Sequence, residues 1–167
     1  MDLIVTSDAA GAWLDWGAGK KRAAIGPAGI AVKIGEGDNI TPRGSFPVRE
    51  VFYRADRVAR PITSLPLRAI AQDDGWCDAP DDPNYNRPVK VPYPASAEQM
   101  WREDHLYDLV VVLGYNDDPV VPGKGSAIFL HIAKPEYLPT QGCVALGYPD
   151  LLKAIEQLQP GDQVVIA

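Results

Sequence analysis

Proline and glycine most restrict how this chain can fold, because 16 prolines and 15 glycines occur among its 167 residues. Both residues interrupt helices and favour tight turns. Their number disfavours a helical bundle and predicts many short strands joined by turns. The expected fold is mainly β with one or two short helices. A chain of this length is expected to form one domain over residues 1–167.

Composition and charge argue against two classes of partner. The chain is 46% apolar and 23% charged, as is ordinary for a globular protein, and its net charge is −6. The tightest basic cluster, Lys20 to Arg22, is typical of a solvated turn, so no nucleic-acid partner is expected. The longest apolar run, Leu109–Leu113, is far shorter than a membrane helix, so no membrane partner is expected.

The first residues bear on the cellular compartment. Residues 1–8 have no basic start, no long apolar run and no small-residue cleavage site, so they do not resemble a signal peptide. We therefore expect a cytoplasmic protein, with a periplasmic location as the alternative if Met1 is not the native start. In the cytoplasm, Cys77 and Cys143 are expected to be reduced rather than joined in a disulfide.

Hydrophobic patterns and turn residues predict the regular elements. Two segments predict helices: one begins at Ser96, which has capping-box spacing to Gln99, and ends near residue 104. The other follows Pro149 and carries an apolar stripe of Leu151, Leu152, Ile155 and Leu158. Strands are predicted at residues 2–6, 13–16, 22–25, 30–34, 45–54, 107–114, 127–132 and 163–166.

Residues 56–105 are predicted to form an irregular insertion within the domain. Most of this segment, 56–95, is rich in proline and aspartate and shows little hydrophobic periodicity. A connection this long is usually functional, so we expect a lid or a wall of a substrate site. Trp76, Tyr85 and Arg87 are candidate substrate-binding residues in such a wall. The alternative is that the two aromatic side chains only pin the loop to the core.

The chain has only two histidines, which narrows the search for an acid–base residue. His105 lies in a polar segment and is predicted to be solvated. His131 ends the apolar segment 127–131, where a histidine is either a hydrogen-bonded core residue or a placed acid or base. Cys143 follows after a glycine-containing turn, and a thiol beside an imidazole can act as a nucleophile. On spacing alone, a buried structural cysteine is the other interpretation.

Two motifs are similar to the signatures of one family. Residues 140–143, Thr-Gln-Gly-Cys, preceded by a strand that carries His131, resemble a histidine followed by Ser/Thr-His-Gly-Cys. Residues 41–48, Thr-Pro-Arg-Gly-Ser-Phe-Pro-Val, are similar to the upstream stretch Thr-Pro-x-Gly-x-Phe-x-Ile. Both are signatures of the YkuD family of L,D-transpeptidases, and the resemblance extends from about residue 30 to the C-terminus.

The resemblance implies a sandwich-like β fold of mixed strands and a cysteine enzyme whose partners are peptidoglycan stem peptides or muropeptides. Cys143 would attack the L-centre carbonyl of an L-diamino acid–D-Ala bond, D-Ala would leave, and an acyl-thioester would remain. His131 would accept the thiol proton and later protonate the leaving amine. Backbone amides of Gly142 and Cys143 would form the oxyanion hole. Because Ile132 has no polar side chain, a backbone carbonyl is expected to orient the His131 ring.

Two positions depart from the family pattern. The histidine before Gly-Cys is Gln141, and the arginine or asparagine two residues after the cysteine is Ala145. Gln141 cannot titrate, which leaves His131 as the base. Together with the missing export signal, these departures favour an L,D-carboxypeptidase that removes D-Ala from recycled muropeptides. The alternative is an L,D-transpeptidase that forms cross-links or exchanges D-amino acids.

Further substrate-binding candidates lie in three segments: Thr140 and Gln141 in the catalytic turn, Arg43 in the upstream motif, and Tyr115 and Asn116 after a strong strand. The last two equally fit an ordinary Asn/Asp/Pro turn. No cofactor is expected, and the sequence does not indicate an oligomeric state. If Cys143 and His131 form a catalytic pair, the thiol pKa should lie below that of a free cysteine.

Two other functional classes stay open. A zinc site would use Cys77, His105, His131 and Cys143, but these ligands lack the short paired spacings of structural zinc sites, so no metal is expected. A non-catalytic stem-peptide-binding module is the second class, and the departures at Gln141 and Ala145 are its support.

Overall fold

The strands follow the alternation of apolar residues along the chain. In the first strand, Leu3 and Val5 are fully buried, while Ile4 between them is 38% exposed. The structure, a computed structural model, describes residues 1–167. Its helices are α1 (Tyr148–Gln157) and one short 3-10 helix (Pro135–Tyr137). Its strands are β1 (Asp2–Asp8), β2 (Gly11–Asp15), β3 (Lys21–Ala24), β4 (Ile30–Ala31), β5 (Thr41–Pro42), β6 (Gly44–Tyr53), β7 (Leu67–Ala69), β8 (Asp74–Cys77), β9 (Pro88–Lys90), β10 (Ala97–Gln99), β11 (Leu109–Leu113), β12 (Phe129–Ile132), β13 (Val144–Leu146) and β14 (Gln163–Ile166).

Nine strands form one sheet in the order β11-β12-β13-β3-β2-β1-β14-β6-β7, and β11 also pairs with β6. This last pairing closes eight of the strands into a ring, so the layers of the domain belong to one continuous sheet. Parallel pairs, such as β1 with β14 and β12 with β13, occur among antiparallel ones. The predicted mainly β fold of mixed strands is confirmed.

Apolar side chains are buried on both faces of this sheet. Alternate residues of β11 point to opposite faces: Leu109 and Val111 belong to the main core of 24 buried residues, and Val110 and Val112 belong to a second cluster. The second cluster also contains Cys143. The continuous apolar run of β11 is therefore explained by burial on two sides, and the candidate nucleophile lies outside the main core.

The insertion is more regular than its sequence indicates. β7 extends the main sheet, and β10, β8 and β9 form a separate small sheet in that order. Trp76 of β8 and Met100, next to β10, pack in the second cluster, so the small sheet covers the face that carries Cys143. These strands have three or four residues each, which is too short for a hydrophobic period to be recognised.

The helix predicted from Ser96 to about residue 104 is wrong. Ala97–Gln99 form strand β10, in which Glu98 lies opposite Trp76 of β8. This segment has good helix formers, but the strand conformation pairs its backbone with β8 and leads into Met100, which is 1% exposed. Tertiary pairing therefore overrides the local capping signal.

The helix predicted after Pro149 is confirmed. α1 has Pro149 in its first turn and packs Leu151, Ala154 and Ile155 into the main core. Of the two predicted helices, only α1 forms. Its sequence has an apolar stripe that packs against the main sheet, whereas the segment from Ser96 has none. Neither helix has the length and apolar composition of a membrane-spanning segment.

Asn86 fastens the insertion to the rest of the domain, and its replacement is expected to destabilise the fold. Its Nδ2 donates to the carbonyls of Tyr115 (2.9 Å) and Asn116 (2.8 Å), and its Oδ1 accepts from Trp76 Nε1 (2.9 Å) and Ala127 N (3.0 Å). The buried amide therefore uses all its hydrogen-bonding capacity. We expect Asn86→Ala to lower the free energy of unfolding by about 2–4 kcal/mol, because four polar groups, of which two are fully buried, lose their partner.

Denaturant unfolding measures this loss. The matched control is Asn84→Ala, since Asn84 is exposed and its side-chain amide contacts only Tyr93. Equal stabilities of the two variants would contradict the structural role of Asn86.

Candidate active site

His131 and Cys143 lie on the same face of two neighbouring strands. β12 and β13 are parallel, with Leu130 opposite Val144 and His131 opposite Ala145. Because side chains alternate, Leu130 and Val144 enter the main core, whereas Cys143, just before β13, and His131 share the other face. Strand spacing and rise place their Cα atoms about 8 Å apart. Two residues separated by a loop in sequence are thus brought together by strand register.

Both side chains line a cavity of about 340 Å³, a volume within the range of small-ligand sites. His131 on β12 and loops beside the main sheet form part of the lining, and the insertion contributes Asp78, Glu98 and Arg102. The wall residues are predominantly polar, with both signs of charge. The cavity is lined by Lys33, Glu36, Gly37, Asp78, Glu98, Arg102, Leu106, Tyr107, Ser126, Ala127, Ile128, His131, Lys134, Thr140, Gln141 and Cys143.

The His131 ring is held by a backbone carbonyl, as the sequence predicts. Its Nδ1 lies 2.8 Å from the Ile132 carbonyl oxygen, which can only accept, so Nδ1 carries the proton and Nε2 presents a lone pair. The Tyr107 ring contacts the imidazole edge-on, with centroids 5.5 Å apart. Burial lowers the pKa of His131 to about 4, although its hydrogen bond to Ile132 opposes this shift. The ring is therefore neutral at pH 7, the form in which it can accept a proton.

The surroundings of the Cys143 thiol favour its protonated form. Its Sγ donates to the Ala127 carbonyl at 3.2 Å and accepts from Phe129 N–H at 3.4 Å, and no hydrogen bond joins it to His131. Burial and the Glu98 carboxylate raise the pKa of Cys143 to about 12. The expectation of a lowered thiol pKa is wrong, because sequence spacing does not reveal that the sulfur is desolvated near a carboxylate.

The turn before Cys143 is held by Thr140. The Thr140 hydroxyl donates to the Cys143 carbonyl (2.6 Å) and accepts from Gly142 N–H (3.1 Å). Gly142 has φ +141°, and a Cβ at this position would lie 2.8 Å from the Ile40 carbonyl oxygen. Glycine is therefore required at 142. The Gly142 amide predicted for the oxyanion hole is already occupied by Thr140.

Carboxylates from the insertion reach the cavity. Glu98 accepts a hydrogen bond from Tyr107 OH, and burial raises the pKa of this carboxyl group. Asp78 lies at the end of β8, and its Oδ1 is buried without any hydrogen-bond partner. Arg102 also lines the cavity, where its guanidinium pairs with Asp104 (2.6 Å). An unpaired buried carboxylate oxygen costs free energy, which a donor on a bound ligand would recover.

The structure brings only part of the predicted substrate wall to the cavity. Thr140 and Gln141 line it. Tyr115 and Asn116 do not: the Tyr115 hydroxyl donates to the Lys124 carbonyl, and the Asn116 amide closes the following loop through Val121 and Gly125. Asn116 has φ +47°, which asparagine tolerates in tight turns. The contacts of Tyr115 and Asn116 therefore fit an ordinary turn rather than the lining of this cavity.

The remaining predicted residues also lie outside the cavity lining. Trp76 packs edge-on against Phe129, and Tyr85 bonds to Glu36 and to Gly125 N–H, so both aromatic side chains pin the insertion. Arg43 and Arg87 are exposed. A substrate contact of these four residues stays a prediction.

Sequence reasoning missed several residues of the cavity. Glu98 was hidden by the predicted helix, and Asp78 by the irregular sequence of the insertion. For Lys33 the sequence offers one hint, its position between the aliphatic residues Val32 and Ile34. In the structure these two are 75% and 80% exposed, whereas Lys33 is 8% exposed. A lysine between two aliphatic residues in a strand-like segment can occupy the inward position, but the sequence does not show which face is inward.

The proposed zinc ligands are not brought together. Cys143 and His131 line the cavity, but Cys77 and His105 do not, and no group of three or more metal-ligating side chains is arranged around a common point. The His105 side chain is 77% exposed and bonds to Asp108, as expected for a solvated histidine.

A mainly β domain with a cysteine and a neutral histidine in one cavity has the arrangement of a cysteine-dependent acyl-transfer enzyme. The YkuD family, the L,D-transpeptidase catalytic domain, matches residues 4–166, which is nearly the whole chain. The protein therefore belongs to the YkuD family, whose members act on peptidoglycan peptides. No curated protein and no solved structure matches the chain.

Proposed function

We propose that this protein is an L,D-carboxypeptidase that releases the terminal D-Ala from stem tetrapeptides, free or in recycled muropeptides, in the cytoplasm. The observation that carries the proposal is the placement of Cys143 and neutral His131 in one cavity of about 340 Å³. Hydrolysis rather than cross-linking is supported by Gln141 and Ala145, which replace a titratable and a polar residue of the family pattern.

The proposed first half-reaction forms a thioester. The pair starts neutral: His131 Nε2 accepts the thiol proton as Cys143 Sγ attacks the carbonyl of the diamino acid–D-Ala bond, so sulfur gains negative charge as its proton leaves. The carbonyl oxygen takes the negative charge of the tetrahedral intermediate. When the C–N bond breaks, His131 returns the proton to the D-Ala amine. D-Ala leaves and the acyl group stays on sulfur.

The proposed second half-reaction is hydrolysis. His131 accepts a proton from a water molecule that attacks the thioester, and the C–S bond breaks with return of the proton to Cys143. The products are the free thiol and the tripeptide, whose new carboxyl group releases its remaining proton to solvent. Gln141, which is exposed at the cavity, can hydrogen-bond this water but cannot exchange protons with it.

The two carboxylates of the insertion suit a substrate with an ammonium group. Asp78 Oδ1 lacks a partner, and Glu98 lies near Cys143, so a donor bound between them would be close to the reacting bond. The side chain of an L-diamino acid ends in such a donor. We propose that Asp78 binds this ammonium group and thereby orients the substrate.

Replacing Asp78 tests substrate recognition. We expect Asp78→Asn to raise KM for a tetrapeptide with a side-chain ammonium about tenfold, since one charge-assisted hydrogen bond is lost, with a smaller change in kcat. A tetrapeptide with norleucine in place of the diamino acid should show no difference between the two enzymes. Asp81→Asn is the matched control, because Asp81 is exposed and does not line the cavity. An equal effect on both peptides would contradict the assignment.

Product analysis tests the reaction itself. The enzyme is incubated with a free tetrapeptide, with its disaccharide form, and with added D-amino acids, and the products are identified by mass. Tripeptide and D-Ala as main products support the carboxypeptidase. Peptide dimers or exchanged D-amino acids as main products support the L,D-transpeptidase alternative instead. Saturable binding without turnover would indicate the non-catalytic module.

A further inference from the structure

Lys33 is a buried lysine in the wall of the cavity. Its side chain is 4% exposed, and its Nζ lies 2.6 Å from Asp38 Oδ1 and 3.2 Å from the Ile40 carbonyl oxygen. Its aliphatic stem packs against Gly125, where a Cβ would approach Lys33 Cε to 2.6 Å. A buried ammonium is costly unless it is paired, so both the stem and the charge are held in a defined position.

The Lys33 ammonium is next to the turn that carries the candidate nucleophile. A Cβ at Gly142 would lie 3.4 Å from Lys33 Nζ and 2.8 Å from the Ile40 carbonyl to which Nζ bonds. Because Gly142 has no side chain, the Lys33 ammonium can lie close to the backbone of the turn that precedes Cys143. Lys33 and Cys143 line the same cavity.

One donor of this ammonium has no protein partner. An ammonium has three N–H groups, and in Lys33 two of them bond to Asp38 and Ile40. The third is available to a ligand in the cavity. A second reason to expect a donor here is that the Gly142 amide is occupied by Thr140. Positions 141 and 145 carry no charge that would serve instead.

We propose that Lys33 is the cationic donor that stabilises negative charge at Cys143, first on the sulfur and then on the substrate carbonyl oxygen. The stabilisation of the substrate oxygen rests on the proposed function, whereas the positive charge beside the sulfur does not. The third N–H of Lys33 hydrogen-bonds the carbonyl oxygen as it becomes an oxyanion, and no covalent bond to Lys33 forms. Consistently, the charge of Lys33 opposes the effects of burial and Glu98 on the pKa of Cys143.

A purely structural role for Lys33 is the contrasting explanation, and Asp38 distinguishes it. Asp38 also accepts hydrogen bonds from the amides of Ile34 (2.8 Å), Gly35 (3.1 Å) and Ile40 (3.0 Å). The loop therefore retains three of its links to Asp38 when Lys33 is replaced. Conversely, Asp38→Asn removes the ion pair and keeps the cation.

Steady-state kinetics of D-Ala release give the first test. We expect Lys33→Met to lower kcat about 10²-fold, the effect of losing one oxyanion donor, with KM changed much less. Asp38→Asn should retain most of the wild-type kcat. Lys90→Met is the matched control, because Lys90 pairs with Asp73 and Asp74 outside the cavity. Equal losses of kcat in Lys33→Met and Asp38→Asn, or no loss in Lys33→Met, would overturn the proposal.

Thiol alkylation gives a second test that does not require turnover. In a Cys77→Ala background, the rate ratio of anionic iodoacetate to neutral iodoacetamide at Cys143 reports the local positive charge. We expect Lys33→Met to lower this ratio at least about fivefold, and Lys90→Met to leave it unchanged. If the wild type releases no D-Ala, the proposed function fails while this ratio still decides the position of the charge. An unchanged ratio in Lys33→Met overturns the role of Lys33.

Discussion

Replacing Cys143 by alanine is expected to abolish D-Ala release, with a loss of at least about 10⁴-fold in kcat. The reason is that the proposed reaction proceeds through a thioester on Sγ, whereas the hydroxyl groups of Ser126 and Thr140 in the cavity donate to Glu36 and to the Cys143 carbonyl. The variant should fold, because the thiol makes only two weak hydrogen bonds and alanine fits the same space. When reactions with tetrapeptide are stopped and the protein mass is measured, the wild type should show a species with one bound acyl group. The Cys143→Ala variant should show no such species.

Cys77 is the matched control for this prediction. Like Cys143, it is buried and forms no disulfide, but it lies outside the cavity. Cys77→Ala is therefore expected to retain the wild-type rate and the acylated species. Substantial release of D-Ala by Cys143→Ala would show that the bond is broken without this thiol and would exclude the thioester mechanism.

Replacing His131 by glutamine is expected to lower kcat/KM by about 10²–10⁴-fold, the usual contribution of a general base. Glutamine can still donate to the Ile132 carbonyl, so the change removes proton transfer more than packing. His105→Gln is the control, because His105 is solvated outside the cavity and should have no effect on kcat/KM. Added imidazole that restores part of the rate only in His131→Gln would support the assignment.

The pH dependence of kcat/KM should identify the same ring. Burial lowers the pKa of His131 from 6.5 to about 4, and the proposed base must be neutral. Activity is therefore expected to persist as the pH falls from 7 to 5 and to decline through about pH 4. Circular dichroism at each pH separates this decline from unfolding. An acidic limb near pH 6.5 would contradict the buried, neutral state of the ring.

Much of the fold could be predicted from the sequence because the main elements follow local rules. The apolar run of β11, the alternation in β1, and the Pro149 start of α1 each reflect short-range patterns. The insertion could not be predicted in this way. Its strands are short, and β10 forms only because β8 offers a partner and the cluster around Met100 requires cover.

The candidate pair could be named from the sequence, but its chemical state could not. Spacing and motif direct attention to Cys143 and His131, and local reasoning anticipates the carbonyl that holds the ring. The direction of the thiol pKa depends on burial beneath the insertion and on Glu98, which is 45 residues away in sequence. Local patterns contain no information on such desolvation.

The sequence by itself determined that this protein is a turn-rich β domain of the YkuD type with one cysteine and one histidine suited to acyl transfer. Only the tertiary structure decided what surrounds that pair. Asp78 and Glu98 come from the insertion, and Lys33 from a loop more than a hundred residues before Cys143. The physical reason is that hydrogen-bonding patterns and hydrophobic periods act over a few residues, whereas electrostatic and desolvation effects depend on distances in space.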